Sequence, residues 1–274
     1  MSRYLRTTVQ IIVVVVFLLP LVWMTATAFY SPGTALPTSL RLLPEQPTVS
    51  NFGRIFATVP MLRFTANSLL VVAIAVPLTI VTGSWAGFAM AQLPDRSQRR
   101  WIVISLAILM IPGIALWSTR FLLYKQLGWI DTYWAIIAPA WMGTSPFFVL
   151  MFYRAFRRVP TGLYDAARLD GAGVLRTWAS IGLPVARTTV VAVALLSFVL
   201  YWGDFINPLL YLSSESNYTL PVALQLLQAM DRSDWPLLMA AAVWSTLVPV
   251  ALFLIVVFYL NRRSRRANAL HTTR

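Results

Sequence analysis

Six apolar runs recur along this chain, over about 9–30, 64–93, 101–124, 134–156, 188–212 and 236–260, and no other feature limits its fold so sharply. Each is long enough for the roughly 20-residue helix that crosses the hydrocarbon core of a bilayer. Composition agrees: 58% of the residues are apolar and 11% are charged, against about 45–50% and about 25% in soluble domains. The implied fold class is an all-α polytopic membrane protein with six transmembrane helices, organised as one transmembrane domain over residues 1–274. The first run, preceded by Arg3 and Arg6, is read as a span rather than a secretory leader, because it is long for a leader and five more runs follow.

The segments between the runs carry the charge. The chain has 22 basic and 9 acidic residues, a formal net charge of +13. The basic residues stand at the ends of apolar runs rather than on one face of a soluble domain, which argues for membrane topology and against nucleic acid. With six spans, 16 of the 22 fall on one side of the membrane, among them Arg96, Arg99, Arg100, Arg157, Arg158, Arg176 and the basic tail after Asn261. The six on the other side are Arg41, Arg54, Arg63, Arg120, Lys125 and Arg232. The richer side faces the cytoplasm, so both termini are expected there. There is no cysteine and the one histidine is His271, in the tail, so no metal site of His and Cys is expected.

One polar stretch lies between the fourth and fifth runs. Pro160–Pro184 holds Asp165, Arg168, Asp170 and Arg176, too many charges for hydrocarbon. It is therefore read as a folded extramembrane segment within a loop over 157–187. Pro160 opens a first helix. Leu163, Ala166, Ala167 and Asp170 share one face at helical spacing. The two alanines keep that face flat enough for another protein to approach closely. Gly171 and Gly173 break the helix, and Asp170 is placed to cap a second helix over 174–181.

The order Asp165-Ala166-Ala167, then Asp170-Gly171-Ala172, Trp178, Ile181 and Leu183-Pro184 resembles the EAA loop of ABC importer permeases. Asp165 stands where that family usually has Glu, and Trp178 where it commonly has Phe. The family's loop is a coupling helix that docks into a cytoplasmic ATPase subunit. The resemblance assigns Asp165, Ala166, Ala167, Asp170, Gly171, Ala172, Leu183 and Pro184 to that contact. Other segments are similar to the maltose- and carbohydrate-type branch: Asn67-Ser68 at the start of the second run, Leu127–Trp134, and Trp202–Leu210, where Gly203 replaces the branch's usual Asn.

Over nearly the whole chain the resemblance implies an importer-type permease bundle with a cytoplasmic coupling helix between helices 4 and 5. It implies a bacterial inner-membrane subunit that forms half of a translocation path for a sugar or sugar-like solute. The implied partners are a second homologous permease, two ATPase subunits that bind ATP and magnesium, and an extracytoplasmic solute-binding protein, expected to be a lipoprotein. Membrane lipid surrounds the chain, and no cofactor is expected within it.

Asp204 is the one carboxylate deep inside a run. An ionisable residue there points to function; with Trp202, Asn207 and, by resemblance, Asn67, it offers a sugar an acceptor, an amide and a flat apolar face. The competing reading, which has the slight edge, is a structural hydrogen bond that ties this helix to a neighbouring one. Prolines recur in every run, among them Pro77, Pro112, Pro146, Pro208 and Pro249; they suit helices that open and close a path, and they are also simply common in membrane helices. Three function classes follow. An ATP-driven importer subunit gives the polar stretch a role. An ion-coupled secondary transporter using Asp204 leaves it without one. A membrane hydrolase fails for want of an intramembrane base, thiol or carboxylate pair. The chain is not itself the ATPase and is not expected to be an enzyme, because its only lysine, Lys125, has no glycine-rich loop before it.

Overall fold

The computed structural model describes residues 3–34, 44–231 and 233–271, and among these the side chains from residue 4 to residue 258. Arg41, Arg232 and Arg274, counted in the charge reading, lie outside the described residues. Fourteen α-helices are described: α1 Arg3–Ala28, α2 Ser50–Thr58, α3 Met61–Gln92, α4 Asp95–Leu109, α5 Trp117–Gln126, α6 Trp134–Ile137, α7 Pro146–Phe156, α8 Thr161–Leu169, α9 Val174–Thr177, α10 Leu183–Val185, α11 Arg187–Trp202, α12 Ile206–Tyr211, α13 Leu220–Met230 and α14 Trp235–His271.

Among the described residues, four helical stretches are long and apolar enough to cross a membrane: 4–28, 61–92, 134–156 and 235–258. Two sharply bent pairs raise the number to six if each is one span. The expected third run is one such pair. α4 ends at Leu109, the chain turns at Pro112, and the helix resuming at Gly113 departs by 85°. Proline supplies no N–H and crowds the preceding turn, which explains the break. The fifth run differs more. Its apolar helix α11 stops at Trp202 rather than at 212, and the helical path before it, 174–185, bends by 83° into α11. The basic tail continues α14 to His271.

The chain forms two compact units, one comprising residues to Thr65 and from Leu220, the other Ala66–Thr219. In the first, α1 presents a long exposed apolar surface, as a lipid-facing helix does. Its last carbonyl, that of Ala28, and the Tyr30 carbonyl just beyond it accept from Nδ2 of the fully buried Asn51 at 2.9 and 2.8 Å. Asp234 holds three chain segments together. It pairs with Arg54 at 2.6 Å and accepts from the backbone N–H of Leu237 and of Gly33, each at 3.2 Å.

The second unit is built on α3 and α7. Phe88, Phe148, Phe152, Phe156, Tyr164 and Val193 form its apolar core. Gly87 lets the two backbones meet: a Cβ there would stand 2.6 Å from that of Phe152. Within the fourth run, a 3₁₀ turn over Ala138–Met142 closes on Gly143 at φ 70°, Ser145 accepts from Phe147 N–H, and Pro146 opens α7. A glycine C-cap, a serine N-cap and a proline at the first helical position are the local signals for stopping and restarting a helix.

Candidate functional site: the knuckle between α7 and α11

The polar stretch folds as a knuckle on the aromatic core. α8 starts one residue after Pro160. Tyr164 and Ala167, three apart and thus on one side of the helix, are buried. The Tyr164 ring meets Phe88 edge-on at 5.8 Å and its hydroxyl reaches the Phe156 carbonyl. Burial pushes the Tyr164 hydroxyl pKa up from its ordinary value. This anchoring corrects one expectation. Leu163, Ala166 and Asp170 face outward, but Ala167 turns inward, because covering the large Tyr164 ring sets the rotation of α8.

A second correction concerns Asp170. It is the C-cap that follows Leu169 at the end of α8, not the cap of the next helix. Gly171 follows at φ 73°, its N–H donates to the Arg168 carbonyl at 3.0 Å, and the Ala172 N–H donates to the Ala167 carbonyl at 2.9 Å. This paired closure needs a left-handed residue, which glycine adopts without strain. The next helix starts after Gly173 with no side-chain cap. A π-turn over Trp178–Gly182 joins α9 to α10. Trp178 is fixed by Ser84, which accepts from its indole N–H at 3.2 Å, and by Trp85 at 5.7 Å. Leu183 is half-buried and Pro184 exposed.

The outer surface of the knuckle mixes charge with bare apolar groups. Asp165 and Arg168 pair at 3.3 Å, both more than 60% exposed, a geometry that adds little stability. Arg168 also donates to Gln92. Leu169 is 89% exposed, Val174 74% and Leu175 66%. Behind them an apolar cleft of about 270 Å³ is lined by Trp85, Phe88, Tyr164, Leu175 and Trp178. The sequence reading missed Leu169, Val174 and Leu175; apolar residues beside charges and glycines in an extramembrane segment were the signal. The knuckle thus presents an apolar patch rimmed by charge, on an aromatic base.

The four residues expected along a solute path are only partly together. Asp204 and Asn207 close on each other: the Asn207 backbone N–H donates to Asp204 Oδ1 at 3.2 Å and its Nδ2 to Oδ2 at 2.8 Å. Asp204 thereby caps α12. Trp202, at the end of α11, is buried and stacked on Phe198 at 5.6 Å. Asn67 is engaged elsewhere, donating to the carbonyls of Ser216 and Tyr218, both at 2.9 Å.

Two further polar sites escaped the sequence reading. Thr144, left-handed at φ 60° in the bend before α7, joins Thr79 of α3 and Tyr201 of α11 in a chain of hydroxyls. Asp131, left-handed at φ 61°, gathers the loop after α12. Hydrogen bonds, first from the Ser214 hydroxyl and then from the Ser214 backbone, hold the Asp131 carboxyl down at about 2.

The fold has close relatives. A bacterial ABC transporter involved in the import of the acidic polysaccharide alginate contains a chain that superposes with a TM-score of 0.77 at 17% identity, covering 94% of this chain and 98% of that one. The trehalose/maltose transport system permease protein of Thermococcus litoralis is 28% identical over 264 residues, 95% of this chain and 94% of its own length. The arabinooligosaccharides transport system permease protein of Halalkalibacterium halodurans is 30% identical over 232 residues, 83% of this chain and 82% of its own. Residues 79–266 match the family described as binding-protein-dependent transport system inner membrane component. That match takes in the knuckle, the Asp204 break and Asp131; the chain belongs to this family and is a multi-pass inner-membrane permease subunit of the ABC importer type.

Proposed function

We propose that this permease forms half of the translocation path for a sugar or sugar-like solute, and that the knuckle receives the stroke of a separate ATPase subunit. The observation that carries the coupling role is the surface of α8 and its exit: exposed Leu163, Leu169, Val174 and Leu175 beside Asp165, Arg168 and Asp170, on a base fixed by Tyr164. A rigid base transmits a push; a mobile loop absorbs it. Asp165, Ala166, Asp170, Gly171 and Ala172 form the contact in this reading, with Ala167 seating it from within and Leu183-Pro184 leading the push into α11.

In this reading both termini and the knuckle lie in the cytoplasm, which the excess of basic residues on that side supports. The assembly comprises a second permease, two ATPase subunits that bind ATP and magnesium, and a solute-binding protein on the outer side. The carbohydrate class rests on the relatives, whose names specify trehalose/maltose and arabinooligosaccharides. Trp202, Asp204 and Asn207 supply an apolar ring, an acceptor and an amide along the path. The ion-coupled alternative built on Asp204 has no support from the family.

The test is ATP-driven uptake by the assembled complex in vesicles. Gly171→Pro cannot adopt a φ of 73°, and is expected to reduce uptake to background while the subunit still inserts and pairs with its fellow permease. Normal uptake by that variant would remove the coupling role.

A further inference from the structure

The loop between α12 and α13 is fastened from two distant parts of the second unit. Asp131 Oδ1 accepts from the backbone N–H of Ser213 at 3.0 Å, from that of Ser214 at 2.9 Å, and from Asn217 Nδ2 at 3.3 Å. Its Oδ2 accepts from the Ser214 hydroxyl. The Asp131 backbone takes part as well: its N–H donates to the Tyr211 carbonyl at 2.7 Å and its carbonyl accepts from Asn217 Nδ2 at 2.8 Å. Asn67, on α3, holds the same loop through Ser216 and Tyr218. Ser213 and Glu215 remain exposed on its surface.

Three features make this more than loop closure. The bonds span 82 to 86 residues along the chain, so they specify a tertiary arrangement rather than a local turn. They oblige Asp131 to adopt a left-handed backbone, which a residue with a Cβ enters only at a cost. The acceptor is an ionised carboxylate, whose bonds to N–H and O–H groups are stronger than neutral ones. The segment so ordered lies one apolar helix, α11, away from the knuckle along the chain. With the knuckle in the cytoplasm, this loop faces the outer side, where solute arrives. An exposed loop held rigid in advance avoids the entropy loss of ordering when a partner docks.

We infer that Asp131 is the positioning residue of the surface that receives the solute-loaded binding protein, presetting the Ser213–Tyr218 loop in the shape that protein meets. The inference rests on the importer reading. Asp131 touches neither solute nor nucleotide; it acts through the loop, and its loss weakens docking without slowing the cycle once docked.

The experiment uses the complete importer in lipid vesicles. The probe is the importer's own solute-binding protein, purified with its bound solute and titrated while ATP hydrolysis is followed. Asp131→Asn is expected to raise the half-maximal concentration about tenfold and to leave the maximal rate within about twofold, because a charge-assisted bond network is lost from the free surface only. Deuterium uptake over 213–218 is expected to rise in the same variant, with α3 and α11 unchanged. Asp131→Glu, which keeps the charge, recovers part of the affinity.

A loosened loop with an unchanged half-maximal concentration overturns the inference, as does a loop that stays protected. A lowered maximal rate at unchanged half-maximal concentration also overturns it, because that assigns Asp131 to the transport cycle. If Asp131→Asn fails to insert, Ser214→Ala removes one donor alone and must shift the titration in the same direction. A wild-type complex whose ATP hydrolysis ignores the binding protein sinks the importer reading itself, and the inference with it. A responsive wild type matched by Asp131→Asn sinks the inference alone.

Discussion

The knuckle and the Asp131 clamp are both polar interruptions in an apolar chain, and they use their polar groups in opposite ways. At the knuckle, Asp165, Arg168 and Asp170 stand in solvent while Tyr164 and Ala167 are buried beneath them. At the clamp, the Asp131 oxygens are consumed by Ser213, Ser214 and Asn217, and little of the carboxylate is offered outward. The first arrangement keeps chemistry available for a partner; the second spends it on shape. The Asp204 break lies between them: its carboxylate is satisfied within three residues, by Asn207. A polar residue in a membrane protein is thus assigned by where its bonds end, not by its presence.

The sharpest way to break this contrast is at the knuckle. Leu169→Asp with Leu175→Asp leaves the fold intact, since both side chains are exposed. It is expected to bring ATP-driven uptake to background and to release the ATPase subunits on purification. Retained ATPase subunits would show that the bare apolar surface is not the docking face.

Packing beneath the knuckle comes next. Gly87→Leu forces a side chain against α7, where even a Cβ would stand 2.6 Å from the Phe152 Cβ and 2.7 Å from the Tyr153 nitrogen, and overpacking of this kind costs about 1–3 kcal/mol. A lowered midpoint of thermal unfolding in detergent checks it. An unchanged midpoint would mean that α3 and α7 part easily, and that the knuckle lacks a rigid base.

The break gives a smaller effect. Asp204→Ala removes the cap of α12, worth about 1 kcal/mol, and is expected to shift the solute selectivity of uptake. Lost stability with unchanged selectivity would leave Asp204 a cap alone.

The smallest effect is expected from mild acid. The Asp131 carboxyl titrates at about 2 in the folded chain, below its ordinary value of 3.8. A depressed carboxyl contributes stability that is complete above its unfolded value and is lost only as the pH falls through the folded one. After correction for intrinsic exchange rates, amide protection of Ser213 and Ser214 should therefore be flat from about pH 7 to about pH 5. Loss of protection within that range would mean that another group governs the loop.

Much of this was legible in the residues. Runs long enough to span identified the bilayer as solvent, because no soluble fold buries so much apolar surface in so few residues. The charged stretch between two such runs had to lie outside hydrocarbon. Gly171 announced the end of α8, since a left-handed closure follows from local backbone sterics. Asp204 and Asn207, three apart in one run, are within local reach of each other on spacing alone. Local rules act over a few residues, and the sequence displays them directly.

What tertiary structure alone decided has longer reach. The rotation of α8 that turned Ala167 inward depends on Phe88, far away along the chain, against which Tyr164 packs. Thr79, Thr144 and Tyr201 meet only after three segments have packed. Asp131 and Ser214 share no pattern in the sequence; their bond exists because folding brings together loops 83 residues apart. Periodicity encodes which face of a helix is apolar, but not which distant partner will cover it.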